Sequence, residues 1–327
     1  MSIATSTPLK TANDALGIGH LVGRALIVLA LLALIAAPLA VYPVFLIKIL
    51  CFALFAAAFN LLVGYVGLLS FGHAAFFGGA AYITAHTVKE WGFTPELGIL
   101  AGVAFAATLG LVMGFLAIRR QGIYFAMVTL ALSQMVYFVF LQAPFTHSED
   151  GIQSVPQGLL FGIIDLSKPL PLYYTVLGAF LLGMVLIWRV VNSPFGNILA
   201  AIRENEPRAI SLGYEVNRYK LAAFVISAAL AGLAGAVKAI AFQLASLVDV
   251  TWQMSGEVIL MTLLGGIGTL LGPVVGAALV TAMEHYFAAT SIPAPVLIGG
   301  CFVACVMLFR RGIVGEIRHR LKARSSR

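Results

Sequence analysis

Charge is scarce in this chain: Asp, Glu, Lys and Arg make up 10% of 327 residues, against 61% hydrophobic ones. Soluble globular domains carry about a quarter charged residues, so a water-soluble fold is excluded. Cysteine is scarcer still. Cys51, Cys301 and Cys305 lie inside apolar runs, at no spacing that suits a disulfide framework or a zinc site, and the last two sit one turn apart as packing residues would. No Gly-Lys pair occurs anywhere, so the phosphate loop GxxxxGK[ST], which needs that lysine on the phosphates, is absent. HExxH, GxSxG and paired His/Cys ligand sets are missing too, which argues against an enzyme and leaves no metal site or cofactor to expect. Span centres hold no Asp, Glu, Lys or Arg, which weighs against a carboxylate-relay carrier. Lys238, Glu257 and Glu284 fall near outer helix ends, where hydration and snorkelling are expected.

What is there is hydrophobic length. A helix needs about 20 apolar residues to cross a bilayer core, and such runs occur at roughly 24–44, 46–66, 70–88, 97–118, 123–142, 172–191, 220–243 and 294–309. A longer stretch covers 256–289, and two polar segments, 143–171 and 192–219, interrupt the series. The run from Ala25 continues this pattern and reads as a retained first helix rather than a signal peptide. The net charge of +7 is confined to short gaps and the tail, as membrane topology is written, so a nucleic-acid partner is not expected.

With the N-terminus inside, inner segments hold Lys10, Arg24, Arg119, Arg120, Arg189, Arg203, Arg208, Arg218, Lys220 and the basic tail 310–327. Outside fall Lys48, Lys89, Lys168 and Lys238. That bias puts both termini in the cytoplasm only if 256–289 goes in and comes back, as two helices joined at Gly265-Gly266-Ile267-Gly268 and Gly272-Pro273. The first limb, about 257–270, would be ~21 Å long, short of a full crossing. Broken backbone at depth is tolerated only in a protein interior or beside a water-filled cavity, which places this pair near a translocation route. One long helix with glycines at helix contacts is the alternative. A second Gly-rich stretch, Gly64 to Gly79, lies in the first half, the weak mark of an internally repeated transporter. The expected fold is an all-α polytopic bundle of about nine or ten spans. It comprises a tail 1–23, a membrane domain 24–309 that includes the loop 192–219, and the tail 310–327.

Segment 192–219 is patterned rather than slack. Ser193-Pro194 predicts a helix start, Ile198 and Ile202 share a face, and Asn205 can cap a second short helix through Leu212 that Gly213 ends. A docking element and a plain interfacial connector fit this pattern equally. Deep polar residues number few: Asn60, Ser70, His73, Thr129, Ser133, Gln134 and Ser227. Interhelical hydrogen bonding is the commoner role for each; His73, which follows Gly72 in an interrupted stretch, is the foremost ligand candidate.

Four stretches carry a resemblance: Gly64 to Tyr82 (GYVGLLSFGHAAFFGGAAY), Gln121 to Gln134 (QGIYFAMVTLALSQ), Phe195 to Gly235 around RENEP…A…LG, and Gly265 to Ala277 (GGIGTLLGPVVGA). In this order they resemble the LivM-type permease subunits of branched-chain amino-acid ABC importers. The resemblance implies that 195–213 is the coupling-helix region, with Arg203, Glu204, Glu206, Arg208, Ala209 and Gly213 matching the family pattern and the charged residues meeting an ATPase. It implies a second homologous permease, two cytoplasmic ATPase subunits that bind the ATP, an extracytoplasmic binding protein and a bacterial inner membrane. Translocation-path candidates are Asn60, Ser70, His73, Gln134, Gly265, Gly266 and Gly268. Two departures bear on the substrate, within a range of amino acids, amides and urea. Leu68 stands where many members carry Gln, and Thr146-His147-Ser148-Glu149-Asp150-Gly151 replaces a more usual Thr-Gly-Gly-x-Asp-Gly. The rival expectation is a stand-alone channel or secondary carrier for a small polar solute such as urea or an amide.

Overall fold

A computed structural model describes residues 32–39 and 41–287 and, beyond them, 296–297, 299–300, 302–303, 307 and 312–316. The tails 1–23 and 310–327, save 312–316, lie outside those residues, as do Cys301, Cys305, the first part of the first expected span and most of the last.

Helix α1, Pro43–Asn60, opens on a proline whose missing N–H costs nothing at a first turn, and it runs on into a π-helical turn, Leu61–Val66. Gly67, at φ +82°, ends it in the left-handed region. Helix α2, His73–Lys89, is 17 residues long and buried along nearly its whole length. It packs against α3 (Pro95–Ala117) and α8 (Val216–Phe242). Small residues permit this: a Cβ at Gly235 of α8 would come within 1.9 Å of the Phe77 carbonyl oxygen. Helix α4, Ile123–Gln142, and helix α5, Pro169–Val191, are the other helices of 20 residues or more among the described residues.

Among the described residues five helical stretches, Pro43–Val66, Pro95–Ala117, Ile123–Gln142, Pro169–Val191 and Val216–Phe242, are long and apolar enough to cross a membrane. Their outer faces carry exposed Leu97, Leu100, Leu111, Phe115, Met127, Phe138 and Val185, which lipid rather than water can cover. The chain is an all-α polytopic bundle. The 256–289 stretch is two helices, as the charge bookkeeping requires. They are α9, Trp252–Gly265, and α10, Gly272–Phe287, which pack against each other and against α1.

The segment 143–171 is more ordered than its polar composition suggests. Strand β1, Ile152–Gln153, pairs antiparallel with β4, Leu244–Ala245, beyond α8, while β2, Leu159–Leu160, pairs with β3, Ile164–Asp165. Ile152, Val155 and Ala245 join Tyr82 and Phe140 in a second apolar core. His147 and Ser148, where the resembling family favours Gly-Gly, both sit at positive φ, 58° and 53°.

Candidate coupling and translocation site

Between α5 and α8 the chain folds into two short helices, α6, Pro194–Glu204, and α7, Glu206–Ser211. Ser193 Oγ accepts from the Gly196 N–H at 3.3 Å, and Asn205 Oδ1 accepts from the Arg208 N–H at 3.0 Å. Both caps sit where the sequence put them, and Gly213 closes the element at φ +87°. Ile202, Ala209 and Val216 pack together beneath it, with Ile198 and Tyr219 against them.

The six residues matched to the family pattern scatter in direction. Glu204 and Arg208 are exposed, Ala209 is buried and Gly213 makes the turn. Glu206 turns back, its Oε1 2.6 Å from Nζ of Lys220, whose side chain is only 3% exposed. Arg203 also reaches inward: Nη1 donates to the Gly64 carbonyl oxygen. Glu206, half-buried, and the guanidinium of the otherwise exposed Arg203 thus both find partners within the chain, because a buried ammonium and the open carbonyls of a helix end need them. Sequence reading missed Ile210, Leu212 and Tyr214, which are exposed in the same element at 56%, 70% and 40%. Apolar side chains standing in an otherwise polar loop were the available signal.

Beneath the loop the two Gly-rich stretches meet. A Cβ at Gly64 would lie 2.8 Å from the Gly268 nitrogen and 2.5 Å from Asn60 Oδ1. Asn60 Oδ1 accepts from the Gly268 N–H at 2.9 Å, and Asn60 Nδ2 donates to the Thr269 carbonyl oxygen at 2.9 Å. Thr269 Oγ1 in turn donates to Gly266 O at 2.8 Å and accepts from the Gly272 N–H at 3.1 Å. The broken backbone between α9 and α10 therefore has polar partners at depth.

The other path candidates divide. Ser70 and His73 belong to the buried start of α2, whose free N–H groups are met by hydroxyls. Gly72 N–H goes to Ser70 Oγ at 3.1 Å, Phe71 N–H to Thr129 Oγ1 at 3.2 Å and Ala74 N–H to Ser255 Oγ at 3.0 Å. Ser227 donates its one proton to Ala58 O at 2.6 Å and so accepts from His73 Nε2 at 2.8 Å. Phe59, Phe76 and Phe224 ring the imidazole. Gln134 is half-buried on α4 and, among the described residues, has no hydrogen bond to this group. Gly265 sits at the tight crossing of α9 and α10, where a Cβ would come 1.8 Å from Gly272 O.

The ionisable residues expected near outer helix ends are less hydrated than that position implies. Lys238 pairs with Asp249, at 17% and 4% side-chain exposure, and its Nζ lies 5.5 Å from the Phe77 ring centroid. Lys48 and Glu284 pair at 3.0 Å. The Lys238 pair is made by the short 3-10 turn Leu247–Val250, which folds Asp249 back onto α2, where a Cβ at Gly78 would come 2.8 Å from the Asp249 carbonyl oxygen.

The family model described as "Branched-chain amino acid transport system / permease component" matches residues 41–309. The LivM permease protein of the high-affinity branched-chain amino acid transport system of Escherichia coli (strain K12) is 28% identical over 294 residues. That match covers 81% of this chain and 68% of the relative. Its Salmonella typhimurium counterpart is 29% identical over the same shares. The autoinducer 2 import system permease protein LsrC of Enterobacter sp. (strain 638) is 31% identical over 151 residues, 42% of each chain. No solved structure matches. The family match spans the two Gly-rich stretches, the capped double helix between spans and the broken helix pair: this chain belongs to the permease components of branched-chain amino acid transport systems.

Proposed function

We propose that this permease is one transmembrane subunit of an ATP-binding-cassette importer for branched-chain or related amino acids in a bacterial inner membrane. It forms the pathway with a second, homologous permease and receives substrate from an extracytoplasmic binding protein. Two cytoplasmic ATPase subunits bind the ATP and dock on α6–α7, and both termini lie on that same side. Being a transport subunit, the chain makes and breaks no covalent bond in its substrate.

The observation that carries this reading is the α6–α7 element. It is capped at both starts, packed from behind by Ile202, Ala209 and Val216, and presents Glu204, Arg208, Ile210 and Leu212 outward. A rigid face that mixes charge with exposed apolar side chains is what a protein partner covers, and a plain connector needs no such face. The test is purification of the tagged chain in mild detergent, followed by uptake in proteoliposomes. Recovery of an ATPase and a second permease, with uptake that needs ATP, is expected. A lone homo-oligomer that transports without ATP overturns the reading in favour of a channel or carrier.

A further inference from the structure

We infer that Arg203 is a positioning residue that straps the docking loop to both helix breaks, so that movement of α6 is delivered to the Gly64 and Gly268 backbones together. The inference rests on the proposed docking of an ATPase at α6–α7, and it assigns the guanidinium of the exposed Arg203 to the Gly64 carbonyl rather than to the docking partner.

Three observations converge. First, Arg203 stands on the last turn of α6, and its Nη1 donates to the carbonyl oxygen of Gly64 in the π-helical turn. That carbonyl lies in the final turn before Gly67 turns left-handed, so it has no successor N–H within the helix. Second, the Arg203 side chain lies along the break itself: a Cβ at Gly67 would meet its Cγ at 3.1 Å, and a Cβ at Gly268 would meet its Nη1 at 3.5 Å. Third, Gly268 is not free to move away from Gly64, because Asn60 holds the Gly268 N–H and the Thr269 carbonyl at 2.9 Å each. The series α6, Arg203, Gly64, Asn60 and Gly268 is therefore continuous through direct contacts.

The electrostatics favour a guanidinium here. The π-helical end of α1 and the end of α9 at Gly265 both bring carbonyl-bearing C-termini to this place, each equivalent to a fractional negative charge. One permanently charged fork with five N–H donors can serve both, whereas a lysine offers a single point charge. π-helical turns are frequent at functional sites, since their extra residue leaves the local register easy to shift.

The experiment compares wild type, Arg203→Lys and Arg203→Gln in the purified permease–ATPase complex, reconstituted into proteoliposomes, with uptake and ATP hydrolysis measured together. The expected result is that ATPase subunits still copurify with Arg203→Gln while solute taken up per ATP hydrolysed falls at least ten-fold, Arg203→Lys lying between. Unchanged uptake per ATP overturns the strap, and so does loss of ATPase copurification from a folded variant, which would make Arg203 a docking residue. Should Arg203→Gln fail to fold, spin labels at Ala200→Cys on α6 and Ile267→Cys, in a complex whose permease lacks its native cysteines and keeps Arg203, decide. An equal separation in nucleotide-free and ATP-trapped states supports the strap; a changed one overturns it. Wild-type uptake without ATP would instead remove the importer reading itself, and Arg203's role with it.

Discussion

Asn60 holds the N–H of Gly268 on one side of its amide and the Thr269 carbonyl on the other, both at 2.9 Å, and so closes the gap between α9 and α10 from across the molecule. Asn60→Leu removes both bonds and leaves two backbone groups unpaired at depth. About 1–2 kcal/mol per group is expected, lower values being typical inside a bilayer. The check is the thermal unfolding midpoint of the purified variant, and an unchanged midpoint would show that the clasp contributes no stability.

Gly64 leaves no room for a side chain. A Cβ there would stand 2.8 Å from the Gly268 nitrogen and 2.9 Å from its Cα, both backbone atoms. Gly64→Ala should cost about 1–3 kcal/mol, as overpacking does. Gly178→Ala on α5, where nothing lies within 4 Å, should be neutral to stabilising by up to about 1 kcal/mol and serves as the control. Folded yield after detergent extraction distinguishes the two.

Glu206 and Lys220 should behave as a unit. Glu206→Gln strands a Lys220 side chain that is 3% exposed, at a cost on the order of 3 kcal/mol. Adding Lys220→Met should recover most of that loss. A double-mutant cycle read by thermal unfolding measures the coupling, and strictly additive effects would contradict the pair.

Left-handed backbone at His147 and Ser148 costs each non-glycine residue about 1 kcal/mol. His147→Gly and Ser148→Gly should each be neutral to stabilising, by up to about 1 kcal/mol, the gain being reduced by glycine's freer unfolded chain. A lowered melting temperature in both variants would count against this backbone geometry.

Orientation can be read by labelling in a background without native cysteines. Ile163→Cys, in the outer β2–β3 turn and 85% exposed, should react with an impermeant maleimide on intact spheroplasts. Glu204→Cys should react only after permeabilisation. The opposite pattern would invert the proposed topology.

Much of the fold was legible because its punctuation is chemical. Gly266 and Gly268 adopt φ of +119° and +75°, which other residues resist, so the break between α9 and α10 is written in the residues themselves. Ser193, Asn205 and Gly213 mark α6 and α7 for the same kind of reason, since caps act over three or four residues. The directions of Arg203 and Glu206 were not legible. Their partners, Gly64 and Lys220, are set by how distant helices pack, and both residue types are ordinarily solvated. The burial of Lys238 escaped for a related reason: Asp249 reaches it only because the chain reverses beyond α8. In the outer segment, two-residue strands are too short to leave a periodicity.

The Asn60 clasp also has a history in time. Its amide is synthesised 208 residues before Gly268, and Lys48 is synthesised 236 residues before Glu284. At ribosomal speeds of about 5–20 residues per second, α1 waits roughly 10–40 s in the membrane before its partners emerge. For that interval α1 is an unfinished surface, with the Asn60 amide and the Lys48 ammonium still without their partners. A chain stalled or truncated before α9 would present that surface permanently, so the second half of the gene decides whether the first half survives.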